Sequence, residues 1–141
     1  MSEGSVAGGC YCGQVRFRAQ LPSRFVAHCH CVNCQRAHGA GFVTWAGFPD
    51  EQFRLEAGEA ALTNYPTETD ATRSFCATCG TTLFYRSPRW EGEVHVAVAV
   101  CDDALDRAPQ AHVYADRAAT WCPIGDALPR LGGDSGTDPM E

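Results

Sequence analysis

The sequence predicts a mainly β domain of several short strands, sandwich-like or tent-like, with clustered metal ligands, and three observations predict it. Apolar and polar residues alternate over short stretches, glycine and proline punctuate the chain at close intervals, and seven of the nine cysteines fall into three tight groups. A hydrophobic content of 45% with 10% aromatics is that of a globular chain, and 141 residues suit one domain with a moderate core. The net charge is −6, carried against eleven scattered arginines and no lysine. No basic stripe results, so no nucleic-acid partner is expected. No apolar run approaches membrane-spanning length and the first residues carry no apolar leader, so the expected compartment is cytoplasmic, with no membrane partner. Thiols stay reduced there, and clustered cysteines then read as metal ligands rather than disulfides.

The elements follow in order. In GGCYCGQV (8–15), an extended backbone would point Cys10 and Cys12 the same way. QVRFRAQL (14–21) reads as a strand with Val15, Phe17 and Ala19 on one face. In AHCHCVNCQRAHGAGF (27–42), Cys29 and Cys31 share one strand face, and VNCQRAHG (32–39) makes a helical turn or two that stops at Gly39. GFVTWAGF (41–48), FRLEAG (53–58) and TTLFYRS (81–87) are strand-like, rich in aromatic and β-branched residues. EVHVAVAV (93–100) alternates most strictly, with Val94, Val96, Val98 and Val100 on one side. DDALDRA (102–108) reads as a short helical turn ended by Pro109. Residues 1–131 form the expected domain, and the polar, glycine-rich tail 132–141 is expected to lack order.

SFCATCGTTLFY (74–85) holds a C-x2-C-G turn, the form of a zinc knuckle, which needs a second pair of thiolates to close a tetrahedral site. Cys10 and Cys12 supply that pair. Joined to Cys76 and Cys79 they make a four-thiolate structural site, whose binding energy is folding energy of about 10 kcal/mol. Cys29, Cys31 and Cys34 remain for a second metal, and three ligands without an obvious fourth match a site with one open position. The alternatives are a fourth ligand from His28, His30, His38, Cys101 or Cys122, or one zinc shared differently among the groups. His28 and His30 would point away from Cys29 and Cys31 on an extended segment.

GGCYCGQVRF, HCHCVNCQRAHGAGF and RSFCATCGTTLFY resemble, in order and spacing, the glutathione-dependent formaldehyde-activating enzyme family, which includes the centromere protein V domain. PQAHVYADRAATWCPIGDALPRL resembles that family's closing pattern of a histidine, a tryptophan and a D-x-L-P segment, so the resemblance runs from about residue 5 to residue 131. It implies a β-tent fold of small antiparallel sheets organised around zinc sites, a structural zinc on Cys10, Cys12, Cys76 and Cys79, and a catalytic zinc on Cys29, Cys31 and Cys34, two per chain. It also implies a carbon–sulfur lyase type of activity, the condensation of glutathione with formaldehyde to S-hydroxymethylglutathione. Members of the family vary, so the thiol and the aldehyde are expected by class rather than by name.

Three thiolates soften the Lewis acidity of a zinc dication, which suits capture of a substrate thiol better than generation of hydroxide. His30, Gln35 and His38 are the nearest candidates for proton transfer or orientation. A glutathione-like substrate brings carboxylates, for which Arg36, Arg73 and Arg86 are the candidate partners. Seven thiolates and two zinc dications would take the formal charge from −6 to −9, which sharpens the need for local cations. The competing reading is a non-catalytic zinc-built module that binds a partner protein. Oligomeric state is not legible in the sequence.

Overall fold

The computed structural model describes residues 4–140. The chain order is β1 (Ser5–Gly9), β2 (Arg16–Gln20), β3 (Phe25–Cys29), α1 (Val32–His38), β4 (Val43–Pro49), β5 (Phe53–Ala57), β6 (Leu62–Pro66), β7 (Thr72–Cys76), β8 (Thr82–Arg86), β9 (Glu93–Ala97), β10 (His112–Val113), β11 (Leu131–Gly132) and β12 (Asp138–Pro139). The fold is mainly β, built of small antiparallel sheets with one short helix. Two compact units share it: residues 4–24 with 46–106, and residues 25–45 with 107–140. The chain passes from the second unit to the first within β4.

In the first unit, β1, β2 and β5 form an antiparallel sheet, and β9, β8, β7 and β6 pair in antiparallel order. The alternation of β2 is realised as expected: Val15, Phe17 and Ala19 are fully buried, while Arg16 and Arg18 turn outward to Asp102 and Glu56. Phe17 stands edge-on to Phe84 at 5.3 Å and stacks on Phe53 at 5.9 Å, which gives this unit an aromatic core. Gly8 lets β1 lie close, because a Cβ there would collide with the Phe17 ring and the Val100 carbonyl. Phe17→Ala should cost about 3–5 kcal/mol. A chemical-denaturation midpoint that stays at the wild-type value would refute this placement of the core.

Two expectations for this unit need correction. EVHVAVAV is a strand only to Ala97, and Val98–Val100 forms a 3₁₀ turn instead of extending the valine face. The chain turns there because Cys101 bridges to Gly8 and the Asp102 amide donates to the Ala7 carbonyl at 2.8 Å, so pairing with β1 replaces continuation of β9. Both faces of β9 are buried, His95 and Ala97 included. DDALDRA makes no helical turn. Its carboxylates are engaged at a distance, Asp102 with Arg16, Asp103 with the Ala7 amide and Asp106 with Ser23, and those bonds compete with local helix formation.

In the second unit, β10 pairs parallel with β3, placing His112 opposite His28 and Val113 opposite Cys29, and β4 is the other neighbour of β3. Helix α1 has the expected extent and ends at Gly39, whose left-handed backbone (φ 62°) lets its N–H reach back to the Gln35 carbonyl. Within 132–140 the chain forms part of a short hairpin. Leu131–Gly132 pairs with Asp138–Pro139, and the Gly136 carbonyl accepts the Tyr114 N–H at 2.9 Å. The hairpin is held by backbone hydrogen bonds rather than apolar burial, which composition does not register; residue 141 lies outside the described residues.

Candidate metal centres

The first unit brings Cys10, Cys12, Cys76 and Cys79 together, with all four sulfurs within 4.8 Å of one another. Both pairs sit on tight turns. The Cys10 and Cys76 amides each donate five residues ahead, to Val15 and Thr81, while Gly13 and Gly80 donate back to the Cys10 and Cys76 carbonyls. Both glycines have left-handed backbones, φ 84° and 83°, which a side chain would strain. Cys10 and Cys12 therefore converge across a turn, not along an extended strand as the i, i+2 spacing suggested. The Thr81 hydroxyl, 3.2 Å from Cys79 Sγ, leads the interactions that bring the Cys79 thiol down to about 5.

The donor set fits zinc. Four sulfurs at zinc–sulfur distances of about 2.3 Å define a tetrahedron with edges of about 3.8 Å. The Cys10–Cys12 and Cys12–Cys76 sulfurs are 3.6 and 3.9 Å apart.

The second unit brings together Cys29, Cys31 and Cys34, again within 4.8 Å, with Cys29 and Cys34 sulfurs 3.5 Å apart. Cys29 ends β3, and Cys31 is the N-cap of α1, its sulfur accepting the Cys34 N–H at 3.2 Å. Cys34 lies in the first helical turn and is buried. The neighbouring thiols of Cys31 and Cys34, with burial, push the Cys29 thiol far up, so the three can ionise together only around a cation. Among the described residues, no fourth histidine, cysteine or carboxylate joins this group. Cys101 lies in the first unit, where burial and the nearby Asp102 and Asp103 raise its thiol to about 12. Cys122 packs against Gly41.

The histidines are engaged elsewhere. His28 Nδ1 lies 2.8 Å from the Thr44 hydroxyl, and His30 Nε2 lies 2.8 Å from His112 Nδ1. Burial, followed by His112, pushes His30 down to about 4, so its ring is neutral at pH 7. The His38 ring stands edge-on to Trp45 at 5.2 Å. The Gln35 amide donates to the His30 and Arg117 carbonyls at 2.7 and 3.0 Å, a clamp that ties α1 to the end of β3. Arg36 is exposed on α1. Arg73 and Arg86 belong to the first unit: Arg73 is buried over the Tyr85 ring at 4.8 Å, and Arg86 pairs with Asp50 at 3.2 Å.

His112 and Asp126 received no role from the sequence. His112 Nε2 lies 2.9 and 3.1 Å from the two Asp126 oxygens, and the Leu128 N–H also donates to Asp126 at 3.0 Å. His112, by its hydrogen bond, leads the interactions that hold the Asp126 carboxyl below the usual range. The D-x-L-P segment thus has a physical meaning: Asp126 holds the His112 ring, and the Pro129 carbonyl accepts the His112 N–H at 2.9 Å.

Against known families, residues 5–117 match the model of the glutathione-dependent formaldehyde-activating enzymes. The chain belongs to this family. A Halomonas elongata relative named "Putative glutathione-dependent formaldehyde-activating enzyme" is 29% identical over 124 residues, 83% of this chain and 79% of its own. A crystal structure of a Rhodobacter sphaeroides protein superposes with a TM-score of 0.61 at 29% identity, covering 72% of this chain and 92% of that one. The matched segment contains all three cysteine groups and ends before Asp126. Among the described residues, no helix is long and apolar enough to cross a membrane.

Proposed function

We propose that this family member is a zinc-dependent enzyme of the carbon–sulfur lyase type that joins a small thiol to an aldehyde, with glutathione and formaldehyde as the first pair to test. One observation carries the reading: the chain holds a complete set of four thiols and, separately, a set of three that has no fourth donor among the described residues. A closed set serves the fold, whereas a three-donor set leaves a coordination position for an exchangeable ligand. Cys10, Cys12, Cys76 and Cys79 would hold the structural zinc. Cys29, Cys31 and Cys34 would hold the second, where the metal supplies a soft Lewis acid that favours the thiolate form of a sulfur ligand.

The chain's own groups perform the remaining work. His30 is neutral, buried and set between two of the three thiols in sequence, so its Nδ1 is the candidate acceptor of the substrate thiol proton. Return of that proton to the alkoxide formed when sulfur adds to the carbonyl carbon completes the addition, with no net acid or base consumed. Gln35 holds the His30 carbonyl and with it the geometry of the Cys31 cap. Arg36, the exposed cation on the same helix, is the candidate for a substrate carboxylate. His38 rests against Trp45 and contributes shape. Arg73 and Arg86 keep weaker claims, since one is buried over an aromatic ring and the other is paired with a carboxylate.

Exchange NMR on glutathione with formaldehyde tests the reaction, because the spontaneous addition gives a baseline in the same tube. Acceleration that saturates with glutathione is expected. An exchange rate equal to the spontaneous one, with metal bound to both thiol groups, would reject this substrate pair.

A further inference from the structure

Beside the second thiol group lies a line of three side chains that composition and spacing did not suggest. Asp126 meets His112, His112 meets His30, and His30 is flanked in the chain by Cys29 and Cys31. The two imidazoles are 3% and 1% exposed, and their ring centroids are 5.0 Å apart. The carboxylate end is half exposed, at 47% of its side chain.

Hydrogen-bond inventory decides the protons along this line. An ionised carboxylate can only accept, so the hydrogen between Asp126 and His112 belongs to His112 Nε2. In a neutral ring, Nδ1 of His112 then carries a lone pair. His30 Nε2, 2.8 Å from that lone pair, must donate to it. His30 Nδ1 is left without hydrogen, and it is buried with no hydrogen-bond partner among the described residues. A buried acceptor without a donor costs stability unless a donor binds to it there.

We propose that Asp126, acting through His112, sets the tautomer of His30 and so keeps an unprotonated Nδ1 available in the segment between Cys29 and Cys31. Asp126 and His112 are positioning residues: neither is required to touch substrate, and their effect reaches the reaction through which nitrogen of His30 carries hydrogen. The use of His30 in catalysis rests on the proposed thiol–aldehyde chemistry. The tautomer relay does not.

Long-range proton–nitrogen correlation spectra of the zinc-loaded protein, labelled with nitrogen-15 at histidine, test it at neutral pH. His112 and His30 are expected to carry hydrogen on Nε2 alone. In Asp126→Asn, an amide N–H can face His112 Nε2, so the hydrogen should move to Nδ1 in both rings, with metal content unchanged. Asp126→Glu should restore the Nε2–H form. Turnover number should fall on the order of tenfold to a hundredfold in Asp126→Asn with KM held, as for losses of an outer-shell partner, and recover in Asp126→Glu.

Hydrogen on His30 Nδ1 in the wild type, a doubly protonated His112, or a His30 pattern unmoved by Asp126→Asn would each overturn the relay. So would a third zinc that replaces the His112 Nε2–H signal: one ring nitrogen each of His28 and His112 and one Asp126 oxygen lie within 4.8 Å of one another, and the three would then be ligands rather than a hydrogen-bonded line. If no variant or wild type accelerates glutathione addition, the proposed function fails on its own, and the nitrogen spectra still decide the relay.

Discussion

Cys76→Ser should leave a chain without cooperative tertiary structure, seen as loss of the near-ultraviolet circular dichroism and of a thermal transition. Cys76 is fully buried and closes a set whose members come from distant points of the chain, with Cys12 and Cys76 separated by 64 residues. A metal joining them removes loop-closure freedom from the unfolded chain and ties the turn after β1 to the β7–β8 hairpin. The binding energy of a structural zinc, about 10 kcal/mol, is comparable with the whole stability of a domain, about 5–15 kcal/mol. A serine hydroxyl is a poor zinc ligand, and one lost donor opens the site to water. A folded Cys76→Ser protein with its zinc retained would overturn the structural assignment.

Cys29→Ser should behave in the opposite way, keeping the fold while losing one zinc and nearly all turnover. Cys29, Cys31 and Cys34 span six residues of one continuous segment, with the Cys29 and Cys34 sulfurs only five positions apart. Closing so short a loop restrains little of the unfolded ensemble. The local backbone also has support of its own: Gln35 clamps the His30 carbonyl, and Gly39 caps α1. Metal analysis by mass spectrometry, with circular dichroism on the same sample, separates the outcomes. Unfolding of Cys29→Ser as complete as that of Cys76→Ser would make the second site structural too and would withdraw the catalytic reading.

The grouping of the thiols was legible in the sequence, because spacing within each group is a local property. A C-x2-C-G turn converges its sulfurs by backbone geometry alone, and α1 was readable from Val32 to Gly39 for the same reason. Where the local reading failed, a distant partner had intervened. Cys10 and Cys12 were read as extended, and Gly13 closes a turn there instead. The valine alternation of 93–100 could not announce that β1 would draw the chain away at Cys101. The three Asp residues of DDALDRA bind groups far from them in sequence, Asp106 reaching Ser23 across 83 positions.

His112 and Asp126 show the same limit most clearly. The closing pattern containing both was visible as a motif, yet nothing local says what a histidine 82 residues beyond His30 does. Only the parallel pairing of β10 with β3, which sets His112 opposite His28, brings its ring to His30.

The sequence by itself determined the mainly β class, the partition of seven cysteines into a set of four and a set of three, and membership of the formaldehyde-activating family. The first two follow from periodicity and spacing, which short-range backbone geometry enforces; the third rests on the resemblance of the cysteine motifs to that family. The tertiary structure alone decided the pairing of Leu131–Gly132 with Asp138–Pro139, the turn at Cys10–Gly13 and the line from Asp126 to His30. Each of these depends on hydrogen bonds whose partners meet only when strands remote in sequence are brought into register, and no local pattern encodes that register.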